Sequence, residues 1–201
     1  NELDAQGMEE EFFSENRKEQ LILSAFLHDL GKMAVPTKVM NKATRLEEKL
    51  ENIEYRFRLL EAKYEIRYLS GNMTKEEYEE KCVQLKEILA LVKEVNRGGF
   101  LREEQRNALL DVFDLVYKDG EEKIPYFTEE EKEDLLIQKG TLTQKERIIM
   151  ESHVEMTERI LKKVRFNANY AQAPKWAVQH HECLNGKGYP KGLNGEELGL
   201  E

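Results

Sequence analysis

An all-α fold is predicted by three observations. Between positions 46 and 92, apolar residues recur alternately four and three apart, the spacing of a helical seam rather than of a strand. Thr-x-x-Glu pairs at Thr74/Glu77, Thr128/Glu131 and Thr143/Glu146 are helix-start signatures, in which the hydroxyl and the carboxylate each satisfy a free backbone N–H. Charged residues make up 35% of the 201-residue chain, which suits long solvated helices, while 40% hydrophobic content supports one modest core with room for a second small lobe.

In chain order, Glu9 to Lys32 reads as a helix that ends near Gly31 and Pro36, since glycine favours helix termination and proline cannot continue the hydrogen-bond ladder. Leu46, Leu50, Ile53, Phe57, Leu60 and Tyr64 then form a heptad seam, broken at Ser70-Gly71-Asn72. Tyr78, Cys82, Leu85, Leu89 and Val92 repeat it behind the Thr74/Glu77 cap. So short a turn predicts an antiparallel coiled-coil hairpin, with Cys82 as a small apolar seam residue. Asn96-Arg97-Gly98-Gly99 marks a turn, a third helix covers Glu103 to Tyr117, Asp119-Gly120 marks another turn, and a short helix starts at Thr128. After Thr143, Ile149, His153, Met156 and Ile160 share one helix face, and a last helix runs from Pro174 through Trp176, Ala177 and Val178 to His180 and His181.

A net charge of −9 argues against general nucleic-acid binding, which needs clustered Lys and Arg. A small anionic nucleotide remains compatible if metal ions supply the local positive charge. No apolar run approaches the roughly 20 residues of a membrane span, and no signal peptide is visible. Cys82 and Cys183 form no disulfide framework and point to a reducing cytosol, so the expected location is cytoplasmic.

The chemistry is concentrated in the histidines. All four lie in polar clusters: His28-Asp29, His153, and His180-His181-Glu182, with Asn185-Gly186-Lys187-Gly188-Tyr189-Pro190 directly after. Imidazole with carboxylate suits iron, manganese, zinc and related divalent ions, so the pattern reads as one metal site divided among distant segments. His153 alone would read as a hydrogen-bonded core histidine; its company favours a ligand. Adjacent histidines on a helix point about 100° apart, so His180 and His181 both bind only if metals or substrate lie between their directions, which is natural for a dinuclear centre. Glu182 has two readings, an acceptor fixing the tautomer of a ligand histidine or a plain surface acid. Lys187 and Lys191 are either phosphate contacts or ordinary surface lysines. Cys183 is assigned no role.

Leu27-His28-Asp29-Leu30-Gly31-Lys32, His153 in its helix, His180-His181-Glu182 and the Gly186-Lys187-Gly188-Tyr189-Pro190 loop, taken in that order, resemble the HD-GYP subfamily of HD-superfamily phosphohydrolases, whose members typically hydrolyse cyclic di-GMP. The resemblance implies an HD-domain helical bundle with two divalent metal ions, iron or manganese foremost. Asp29 would bridge the two, His28 would bind one, and His153, His180 and His181 would complete the second. Asp29 and Lys32 would be the catalytic groups, with Lys32 also meeting the scissile phosphate, and Gly186, Gly188, Tyr189 and Pro190 would form the substrate-side loop. Water activated between metals about 3.5 to 4 Å apart would attack phosphorus in line with the leaving ribose oxygen, with no side-chain nucleophile.

Three departures accompany the resemblance. The family loop usually begins Asp-Gly where this chain has Asn185-Gly186, a further upstream His has no counterpart before His28, and the family's downstream Asp ligand would lie beyond Glu201. The chain therefore reads as cut from a longer protein at both ends. Gly140-Thr141-Leu142-Thr143 matches the family's next helix start, so residues 1–40 and 137–201 form the expected HD-GYP-like core and 41–136 an inserted helical hairpin with short helices. The insertion either packs on its own domain or serves partners, as a homodimer contact or a link to a sensor domain. The leading function is a metal-dependent phosphodiesterase for cyclic di-GMP or a related cyclic dinucleotide in bacterial second-messenger signalling. The alternative is a signalling or interaction module that keeps the scaffold with weak or absent turnover. A phosphohydrolase of ordinary nucleotides is disfavoured by the Gly-x-Gly-Tyr-Pro loop.

Overall fold

The computed structural model describes residues 14–198 and is mostly helical, so the all-α expectation holds. In order it contains α1 (Glu15–Leu27), a 3-10 helix (Leu30–Ala34), α2 (Thr37–Met40), α3 (Lys49–Leu69), α4 (Lys75–Asn96), α5 (Glu103–Phe113), β1 (Val116–Asp119), β2 (Glu122–Pro125), α6 (Glu129–Leu135), α7 (Gln144–Glu151), α8 (His153–Leu161), a second 3-10 helix (Ala168–Tyr170) and α9 (Ala173–Ala177). Among the described residues, no helix is long and apolar enough to cross a membrane. The chain divides into two compact units, one holding residues up to Met40 together with those from Lys145 onward, the other Asn41–Gln144.

The second of these units is built on the α3–α4 hairpin. Ile53, Phe57, Leu60 and Tyr64 of α3 are buried with Leu85, Ile88, Val92 and Val95 of α4, and the Thr74/Glu77 capping box forms as its residues require. On α4 the buried line runs through Ile88 rather than the expected Leu89, which is only partly buried. The third helix stops at Phe113, short of the expected Tyr117, because Val116–Asp119 pairs antiparallel with Glu122–Pro125. The expected turn falls one residue later, with Gly120-Glu121 at the tip of that β-hairpin and Gly120 at φ +58°. Tyr117 pairs with Ile124 and is buried against Tyr64, giving the strands an apolar face.

Arg45 is buried in the same unit without a carboxylate partner in hydrogen-bonding contact. Its guanidinium donates to the carbonyls of Val95 and Gly99, at the end of α4, and of Ile137, just after α6, where helix dipoles favour a cation. Arg56 grips buried Glu131 through two bonds, of 2.8 and 3.0 Å, and Lys42 and Lys49 meet buried Asp134, so α6 is anchored by paired charges.

The other unit is organised by the approach of α8 to the 3-10 helix that follows His28-Asp29. The expected helix through Lys32 instead ends at Leu27; its portion before Ser14 lies outside the described residues. Gly31 does not terminate it. A Cβ on Gly31 would lie 1.8 Å from the His153 carbonyl oxygen and 2.6 Å from the Thr157 nitrogen, so the glycine is there to let two backbones touch. This contact also overturns the expected stripe. α7 and α8 are separate helices interrupted at Ser152, Ile149 and Ile160 face outward, and the buried face of α8 is His153, Val154, Thr157 and Leu161. Val154 and Leu161 pack with Ala177 and Val178, joined by Leu27, Leu30, Phe166 and Tyr189.

Candidate metal centre

His28 closes α1 by donating its backbone N–H to Ser24, and Asp29 occupies the turn before the 3-10 helix. Thr157 fastens this corner to α8. Its hydroxyl accepts from the Gly31 N–H at 2.8 Å and donates to the His28 carbonyl at 3.1 Å. With the backbones locked, His153 Nε2 comes to 3.4 Å from Asp29 Oδ1, although 124 positions separate the two residues. His180 and His181 arrive from the turn after α9, not from the helix itself as expected, because α9 stops at Ala177. His180 Nε2 lies 3.8 Å from Asp29 Oδ1 and 3.4 Å from His153 Nε2.

One device orients three of the imidazoles. The Nδ1 atoms of His28, His153 and His180 lie 2.6, 2.7 and 2.8 Å from the carbonyls of Ala25, Met150 and Ala177, in each case three residues back. A carbonyl can only accept, so each Nδ1 carries a hydrogen, and in the neutral ring that leaves the Nε2 lone pair turned inward. His28 Nε2 then faces Asp29 Oδ2 at 3.0 Å. Lone pairs directed at one another and at a carboxylate repel unless a cation sits among them. Asp29 Oδ1 is buried and has no hydrogen-bond partner, which a divalent ion would satisfy. The donor set fits: His28, Asp29 and His180 form one group, and His153, His180 and His181 another, each with donor atoms within 4.8 Å of one another.

Electrostatics support the same reading. Burial pulls His181 from its usual 6.5 down to about 4, helped by neighbouring His180 and His153, and burial likewise lowers His180. Neutral imidazole is the form that binds metal. Burial pushes the Asp29 carboxyl up, but the Lys32 hydrogen bond and the charges of His28, Lys32 and His153 outweigh it and hold the carboxyl below its usual range. Lys32 Nζ donates to Asp29 Oδ2 at 2.7 Å.

The signature loop frames the histidine pair. Tyr189 stacks on His181 with ring centroids 4.6 Å apart, and its N–H donates to the His181 carbonyl. Gly186 adopts φ +71°, as expected of a residue needing left-handed backbone. Gly188 is needed for a different reason: a Cβ there would meet the backbone of Glu182 and Cys183 at 2.4 Å. Glu182 does not hold a histidine tautomer. Its carboxylate accepts the backbone N–H groups of Lys191 at 2.7 Å and Leu193 at 2.8 Å, pinning the loop's exit. Asn185 accepts the Lys187 N–H at 3.0 Å, a turn bond its amide oxygen makes without charge. Lys191 Nζ faces Glu158 instead of a phosphate position. Thr157 was missed by sequence reasoning and Gly31 read only as a helix end, since close backbone approach leaves no periodic signal.

Residues 129–201 match the family model of the HD domain. That span holds His153, His180, His181 and the loop, while the His28-Asp29 doublet joins them through the Gly31–Thr157 contact. The chain is also 36% identical, over 66 residues, to 3'3'-cGAMP-specific phosphodiesterase 3 of Vibrio cholerae serotype O1. The alignment covers 33% of this chain and 14% of that protein's length. Together the matches support HD-superfamily kinship. No solved structure matches the chain.

Proposed function

We propose that this chain carries the metal site and substrate-side loop of an HD-GYP-type phosphodiesterase that hydrolyses cyclic di-GMP or a related cyclic dinucleotide, with residues 41–136 inserted into that core. The observation that carries the proposal is Asp29 Oδ1, buried without a donor and faced by inward Nε2 atoms of His153 and His180. His28, Asp29 and His180 would hold one divalent cation, and His153, His180 and His181 are the residues that would hold a second. Divalent cations bound there supply Lewis acidity, which acidifies water and stabilises charge on phosphoryl oxygens.

The protein's own residues do the remainder. The carbonyls of Ala25, Met150 and Ala177 hold the ligand rings in the Nε2-inward tautomer. Lys32 orients Asp29 and offers an ammonium for a non-bridging phosphate oxygen. Tyr189 fixes His181 by stacking and presents an aromatic surface on the loop side, where a purine can rest. The name of the similar Vibrio protein supports a cyclic dinucleotide as the substrate class.

The test is turnover by the 201-residue chain loaded with Mn²⁺ or Fe²⁺, supplied separately with cyclic di-GMP and 3'3'-cGAMP and resolved by ion-exchange chromatography. Linear dinucleotide or mononucleotide product is expected. Retained metal with no product from either substrate contradicts hydrolysis by this chain and supports the non-catalytic module.

A further inference from the structure

We propose that the outer face of α3 is a homodimer seam, on which a second copy of this chain docks its own α3 in antiparallel orientation. The buried residues of α3 occupy one side of the helix. At about 100° per residue, Tyr55, Leu59, Ala62, Ile66 and Leu69 occupy the opposite side. Their spacing of four, three, four and three is a second heptad seam on the same helix. This seam lies in water: Tyr55 is 71% exposed, Leu59 40%, Ile66 64% and Leu69 74%, and Ala62 is exposed between them. Scattered exposed apolar residues are ordinary, but a continuous stripe about 21 Å long, by the 1.5 Å helical rise, is a contact surface.

Charge selects the occupant and its direction. With Leu59 and Ile66 at a positions and Tyr55, Ala62 and Leu69 at d positions, Arg58 and Glu65 occupy successive g positions, and Arg56 and Lys63 occupy e positions. Both e cations are already engaged within the chain, Arg56 by Glu131 and Lys63 by Glu122. Arg58 and Glu65 project beside the exposed seam; the Arg58 side chain is 77% exposed and only 3.9 Å contact with Glu54 holds it. Parallel pairing sets g against e, which brings Arg58 to Lys63 and Glu65 to Ser70 of the second copy and makes no ion pair. Antiparallel pairing sets g against g and e against e; the e cations Arg56 and Lys63, which then meet across the seam, are each neutralised within their own chain by Glu131 and Glu122. With Leu59 across from Ala62 of the second copy, Arg58 faces Glu65 of that copy, and two-fold symmetry makes the ion pair twice. The small Ala62 leaves room for Leu59, and Tyr55 meets Ile66. The face is self-complementary in charge and shape.

Sedimentation equilibrium of the 201-residue chain from about 10 to several hundred µM tests this. A seam of two heptads lies below the roughly 1,000 Å² of a permanent interface, so a dissociation constant on the order of 10–100 µM is expected. Arg58→Glu alone and Glu65→Arg alone each place like charges across the two-fold and should weaken the dimer at least tenfold. The double swap restores opposite charges and should return the constant to within about threefold of the unaltered chain. Ile66→Lys should also give monomer, and circular dichroism verifies that each variant keeps its helices. A monomer throughout the range overturns the proposal. So does a dimer indifferent to these substitutions, or a folded double swap as weak as the singles.

Discussion

Asp29→Ala is expected to release at least one cation per chain and to lower turnover of a cyclic dinucleotide about a thousandfold. The carboxylate is the one anionic donor among the candidate ligands, and its Oδ1 has no hydrogen bond to lose. Lewis-acid stabilisation of phosphoryl charge is worth several kcal/mol, and each 1.36 kcal/mol is a decade of rate. The fold should survive. Removing Asp29 leaves the Gly31–Thr157 and Thr157–His28 bonds intact and frees Lys32, which is partly solvated, to meet water. Elemental analysis of the purified variant gives the direct reading, and unchanged metal content would contradict the assignment of Asp29.

Gly31→Ala has the opposite signature, with its main cost in stability. The added methyl would enter the backbone of α8, with His153 oxygen at 1.8 Å and His153 carbon at 2.8 Å, and no flexible side chain stands in the way to yield. Accommodating it means prising α8 from the 3-10 helix, which costs about 3 kcal/mol or more. His153 would move away from Asp29 in the same displacement, so metal affinity should fall as well. Gly71→Ala is the control. Gly71 has φ +76° and open space around it, so only the backbone cost of about 1 kcal/mol applies. Urea unfolding of both variants decides the matter: equal losses would mean that the Gly31 contact contributes nothing particular.

The hairpin was legible in the sequence because both of its helices bury one face, and burial of one face imposes a period that residue types reveal. The caps at Thr74 and Thr128 were legible because a hydroxyl three residues before a carboxylate has one common use. The β-hairpin was not read, although Asp119-Gly120 between Tyr117 and Ile124 carries its signal. The helical pattern through Phe113 masked it, as apolar residues at short range serve either element. At the site, residue types announced the candidate ligands. What joins them was invisible, because Gly31, Gly188 and the three carbonyls act through backbone position rather than side-chain character. Glu182 looked like a partner for histidine on proximity in sequence, yet backbone N–H groups of the returning loop claim both of its oxygens.

The central claim is that the inward Nε2 atoms and Asp29 enclose divalent cations, and anomalous diffraction at the manganese edge from crystals grown with Mn²⁺ tests it most directly. Anomalous peaks bounded by Asp29, His28, His153, His180 and His181 are expected. Crystals with no peak there, and with ring nitrogens and Asp29 Oδ1 hydrogen-bonded to ordered water in its place, would contradict it.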